Sequence, residues 1–110
     1  MQYARELKFV PASARVIAIT GSDANDASFR VGKAYRFSYH TTSAASTVPG
    51  AVSCRWGSNA ATAADGGSDF TINAGESLIT RATNATLHAI GLGGTGATGT
   101  LVASEIDEGV

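Results

Sequence analysis

The sequence is short of nearly everything from which reactive chemistry is built. A single cysteine, Cys54, excludes an internal disulfide. Charged residues make up 15% of the chain, against roughly 25% in an average protein. Only Lys8 and Lys33 are lysines, the six arginines are scattered, and the net charge is -1. A phosphate backbone or an anionic bilayer attracts clustered basic side chains, so neither nucleic acid nor a membrane is expected as a partner. No window approaches the roughly 18 continuous apolar residues of a membrane-spanning helix. Met1 to Glu6 contains no basic region followed by an apolar stretch, so no secretory signal is expected. Only two imidazoles, His40 and His88, and one indole, Trp56, are available.

What fills the chain instead is small. Gly, Ala, Ser and Thr supply about half of the 110 residues, and period-2 apolar strings run through them. The clearest is Ala34 to His40, in which Tyr35, Phe37 and Tyr39 alternate with Arg36, Ser38 and His40, the signature of a half-buried strand. Further strands are expected over Ala14 to Thr20, Ala51 to Trp56, Asp69 to Ile72, Glu76 to Ala82, Thr86 to Gly91 and Thr100 to Ile106, with a short extended piece at Phe29 to Val31. Gly21 to Asp26, Thr41 to Gly50, Asn73 to Gly75 and Gly93 to Gly99 read as turns or loops by composition. Gly57 to Ser68 reads as a long loop of small residues, and Asp107 to Val110 as an acidic tail.

Seven or eight short strands at regular spacing, with no convincing helical period, predict an all-β fold. It is an antiparallel β-sandwich, for which a jelly roll is one arrangement the pattern allows. The length is that of one domain, placed at residues 14–110. Residues 1–13, where Tyr3, Arg5, Leu7 and Phe9 alternate with Ala4, Glu6 and Lys8, read as an N-terminal arm or edge strand. Four apolar side chains there, Tyr3, Leu7, Phe9 and Val10, can be buried only against the domain or a partner.

The candidate chemical motifs are weak. Gly91 to Gly96 fits a dinucleotide-binding spacing, but that fingerprint opens a helix within a βαβ unit, and a turn and a strand follow here; no cofactor is expected. No serine lies in a nucleophile elbow, and no catalytic residue is assigned. Asp23, Asn25 and Asp26, or Asp65 and Asp69, could hold a cation only weakly; such side chains more often cap turns, so no metal site is assigned. Cys54 shares a face with Val52 and Trp56, which predicts a buried, inert thiol. Trp56 is expected in the core, with sugar stacking as the functional alternative. Arg36, Arg55 and Arg81 fall on the polar faces of their strands, where arginine often serves contacts between proteins.

The runs Ser53 to Gly66, Ala74-Gly75-Glu76-Ser77-Leu78-Ile79 and Ala85 to Ile90 resemble the small β-sandwich virion proteins of tailed bacteriophages. The resemblance spans roughly residues 14 to 106 and is one of phrase rather than of a catalytic motif. It implies a noncatalytic cement or decoration protein on the phage head surface. Such a protein would be made in the host cytoplasm, assemble as a homotrimer and bind the major capsid protein. The candidate interface residues are Tyr3, Arg5, Leu7, Phe9, Val10, Arg36, Arg55 and Arg81. The alternative is a tail, baseplate or head-fibre module that binds a receptor or carbohydrate, and a small glycan-cleaving enzyme is a third class.

Overall fold

The computed structural model describes residues 7–41, 50–57, 69–92 and 98–108. They form eight strands and, among the described residues, no helix: β1 Arg15–Ile19, β2 Ala24–Asp26, β3 Ala34–Thr41, β4 Ala51–Trp56, β5 Phe70–Asn73, β6 Ser77–Arg81, β7 Leu87–Leu92 and β8 Gly99–Glu105. Two four-stranded sheets result, ordered β1-β8-β3-β6 and β2-β7-β4-β5, with every pairing antiparallel. The chain is therefore an all-β sandwich. Its connectivity follows from one long hairpin. β1 pairs with β8, β2 with β7, β3 with β6 and β4 with β5, and the hairpin is rolled so that β8 also meets β3 and β7 meets β4. That eight-stranded, doubly wound arrangement is a jelly roll.

The core lies between the sheets and is organised by β3. Tyr35, Phe37 and Tyr39 all point inward and are fully buried. Three inward rings on one strand crowd their surroundings, and β8 makes room beside two of them, Phe37 and Tyr39. Ala103 stands opposite Phe37 and Gly99 opposite Thr41. A Cβ on Gly99 would lie 2.6 Å from both the His40 carbonyl oxygen and the Tyr39 ring, far inside contact distance. The facing sheet contributes Val52, Cys54, Ile72, Leu87 and Ala89. Phe29 closes one end of the core, with its ring 4.9 Å from that of Tyr35 and 5.1 Å from that of Trp56. Edge-to-face pairs of this kind add to the burial they accompany.

Two elements depart from the reading of the sequence. Ala24–Asp26, expected within a turn, is the edge strand β2, paired with Leu87 to Ala89; three residues are too few to show a period. Phe29 to Val31 is not a strand, although Phe29 is buried. Its backbone is held by a loop bond from the Phe29 N–H to the Ala85 carbonyl, 3.1 Å. The turn over Asn73 to Gly75 forms as expected. Gly75 takes a φ of 82°, a left-handed value that glycine adopts without a Cβ clash, and the Glu76 N–H closes the turn on the Asn73 carbonyl.

Candidate binding surface

The N-terminal segment is tied to the last strand. A turn at Pro11-Ala12, with Ala12 at φ 58°, brings residues 8–10 alongside the end of β8. There Val10 N–H donates to the Glu105 carbonyl at 2.9 Å and Asp107 N–H donates to the Lys8 carbonyl at 2.7 Å. Phe9 bridges Ile106, and Ser13 Oγ accepts from the Glu105 N–H at 3.1 Å. The backbone of the segment is thus fixed while its larger side chains are not covered: Leu7 is 50% exposed and Phe9 38%. Val31, on the neighbouring turn, is also exposed.

Beside this segment a cleft of about 380 Å³ opens, lined by Val10, Arg30, Lys33, Ile106, Glu108 and the buried Glu105 among others. Removing the Glu105 carboxylate from water would be costly unless it were paired. Two partners meet that need: Arg30 Nη1 donates to Oε2 at 3.0 Å, and the Tyr35 hydroxyl donates to Oε1 at 3.3 Å. The same hydroxyl accepts from the Arg30 N–H at 2.8 Å. Tyr35 therefore links the Arg30 turn to the last strand from inside the core, and the guanidinium of Arg15 lies over its ring, 5.1 Å from the centroid.

Across the cleft, Arg81 forms a two-pronged pair with Glu108, Nη1 to Oε1 and Nη2 to Oε2, each 2.9 Å. It also donates to the Gly32 carbonyl. The hydrogen bond from Arg81 holds the Glu108 carboxyl below its usual range, helped by the Ala34 N–H and the charges of Arg81 and Lys33 and opposed by partial desolvation. The chemistry of this end is fastening. The pairs Arg30–Glu105 and Arg81–Glu108 tie the 30–33 turn and β6 to β8 and the residues after it.

The expected interface residues divide among three places. Tyr3 and Arg5 lie outside the described residues. Leu7, Phe9 and Val10 occupy the segment just described. Arg36 and Arg81 share the outward face of sheet β1-β8-β3-β6, where Arg36 stands opposite Ile79 and Ala34 opposite Arg81. Arg55 lies on the outward face of the other sheet, across from His88. The three strand arginines therefore do not form one surface.

The remaining candidates are accounted for individually. His88 is nearly buried, with Nδ1 2.9 Å from Asp23 Oδ2, so that carboxylate is committed to a side chain. Asp26 caps a turn, accepting from the Ser28 N–H at 2.7 Å. Asp69 Oδ2 accepts from the Trp56 N–H. Cys54 is fully buried, and burial pushes its thiol up to about 12. Trp56 is partly buried and packs its ring against Phe29, Phe37 and Phe70. Asp65, most of the Gly57 to Ser68 loop and the glycines of 93–96 lie outside the described residues.

The reading of the sequence missed the Glu105, Arg30 and Tyr35 cluster and the outward apolar residues Val16 and Ile79. The cluster joins positions about seventy apart, which no local spacing encodes. Val16 and Ile79 could have been found: each alternates with inward neighbours, so each had to point out. No protein-family model, curated protein or solved structure matches the chain.

Proposed function

We propose that this chain is a noncatalytic structural protein of a tailed-phage particle, a cement or decoration protein that binds the major capsid protein and stabilises the head. The observation that supports this reading most is the N-terminal segment. Leu7 and Phe9 are large, apolar and half-exposed, yet the backbone beside them is fixed by the bonds of Lys8 and Val10 to the last strand. Such residues present apolar area to a partner with little further ordering cost. A contact of modest strength, repeated over a symmetric lattice, stabilises that lattice by mass action. Under the same reading the chain assembles as a homotrimer at the head surface.

The test is co-sedimentation of the purified chain with tailed-phage heads stripped of their outer proteins. The wild type should pellet with the heads and raise their melting temperature. Phe9→Asp combined with Leu7→Asp should release it while leaving its own thermal midpoint within a few degrees, because neither side chain belongs to the core. A wild-type chain that stays in the supernatant with every head preparation would remove the proposal. For the receptor- or carbohydrate-binding alternative Trp56 is the residue to check; it is partly buried, with its ring packed against Phe29, Phe37 and Phe70.

A further inference from the structure

We propose that this chain associates with copies of itself head to tail, the β1 edge of one copy pairing with the β6 edge of the next to continue sheet β1-β8-β3-β6 across the junction. The inference goes beyond the decoration reading and concerns the isolated chain.

Among the described residues, the hydrogen-bond alternation shows which backbone groups have no partner strand in this sheet. Ile106 N–H donates to the Ala34 carbonyl, so the even-numbered residues of β8 face β3 and the odd-numbered ones face β1. Val10 N–H on the Glu105 carbonyl agrees. Arg15, Ile17 and Ile19, which stand opposite Ala103, Leu101 and Gly99, therefore bond β8, and the backbone groups of Val16 and Ala18 point away from the sheet. On the other side, Tyr39 N–H on the Glu76 carbonyl and Ala82 N–H on the Lys33 carbonyl fix the even-numbered residues of β6 toward β3. The backbone groups of Ser77, Ile79 and Arg81 point outward. Just past β1, the Thr20 carbonyl accepts from the Gly91 N–H of the second sheet.

The two edges suit each other. Both strands are five residues long. The sheet order alternates direction, so β6 of a neighbour set beside β1 in the same orientation runs antiparallel to it. Placing Val16 opposite Ile79 also sets Ala18 opposite Ser77, with all four side chains on the outward face. Val16 is 64% exposed and Ile79 49%, and a β-branched pair across a ladder is a stabilising contact.

Natural sheets usually blunt their edges with lysine, proline, bulges or very short strands. The second sheet does so: its edges are β2, three residues ending in Asp26, and β5, four residues. β1, Arg-Val-Ile-Ala-Ile, and β6, Ser-Leu-Ile-Thr-Arg, are longer, contain no lysine or proline, and carry their one charge each, Arg15 and Arg81, at a strand end. The contrast within one molecule singles out the β1 and β6 edges. Two different edges make a heterologous contact, which closes into a ring or grows into a chain according to the rotation between copies.

The experiment is light scattering after size exclusion over a concentration series, on the wild type, Val16→Lys, Ile79→Lys and an equimolar mixture of the two variants. The wild type should exceed the monomer mass as concentration rises. Each variant alone should need at least about tenfold more protein to associate. The mixture should form a pair and stop there, because each variant retains the edge that the other lacks. Thermal midpoints near the wild type's establish that the variants fold, and Ala18→Lys with Ser77→Lys repeats the test at neighbouring positions.

A wild type that remains monomeric at the highest attainable concentration overturns the proposal. So do variants that associate like the wild type, and so does a mixture that stays monomeric, since packing between outward faces would be blocked by both lysines and not rescued by mixing. Head binding is read separately by co-sedimentation, so either idea can fail alone.

Discussion

Among the described residues, two buried side-chain oxygens lack a hydrogen-bond partner, Tyr39 Oη and Ser53 Oγ. A buried hydroxyl left unpaired costs roughly 1–3 kcal/mol of desolvation. Burial also pushes the Tyr39 phenol above the ordinary tyrosine range, because desolvation disfavours the phenolate. The ring itself is essential, because it fills the space beside Gly99 that no Cβ could share. Ring and hydroxyl therefore make opposite contributions. Tyr39→Phe keeps the ring and removes the unpaired oxygen, and it should raise stability by about 1 kcal/mol. Gly99→Ala places a methyl against a backbone carbonyl and the Tyr39 ring, and it should lower stability by about 1–3 kcal/mol. Denaturant unfolding of the two variants measures both signs. A destabilised Tyr39→Phe would mean that the hydroxyl is paired in solution.

At the scale of elements, the fold depends on how its two terminal segments are fastened to the last strand and to the 30–33 turn. Glu108 belongs to one of these fastenings. Its carboxyl titrates below its ordinary value because the Arg81 hydrogen bond favours the charged form. A carboxyl depressed in the folded state stabilises that state fully above its unfolded value, and the contribution is lost as the pH falls through the folded one. Docking of the segment after β8 should therefore hold at neutral pH and loosen below the usual glutamate range. In Arg81→Gln the Glu108 midpoint should move upward toward that range, as followed by carbon chemical shifts. An unmoved midpoint would show that Arg81 does not hold the carboxylate. Little of this fastening was legible in the sequence, because an ion pair across 27 residues and one across 75 leave no periodic trace. The strands were legible for the opposite reason. Val52, Cys54 and Trp56, or Tyr35, Phe37 and Tyr39, repeat every second residue because one face of each strand is buried. β2 escaped because its three residues are mostly polar and its identity comes only from pairing with β7.

For the whole molecule, the order of pairing sets how the chain folds. The alternation that reveals a sandwich does not reveal which strands are neighbours, and the jelly roll pairs the first strand with the last: Val16 lies opposite Val102. Closing a loop of that length is entropically costly before any contact rewards it. The β4–β5 and β3–β6 pairings span shorter stretches and bring the rings of the buried Phe37 and the partly buried Phe70 together, 5.1 Å apart, across the two sheets. The central strands should form first, with β1 closing on β8 afterward. Folding dominated by distant pairings falls in the range of about milliseconds to seconds. Ile17→Val on β1 should therefore act mainly by speeding unfolding, whereas Ile72→Val on β5 should mainly slow folding, because a contact formed before the barrier changes the folding rate and one formed after it changes the unfolding rate. Both side chains are nearly fully buried, so each deletion should cost about 0.5–1.5 kcal/mol, enough for stopped-flow chevrons to separate the two rates. If Ile17→Val slows folding as much as Ile72→Val does, the longest pairing is already made at the barrier, and the roll closes from its ends rather than from its centre.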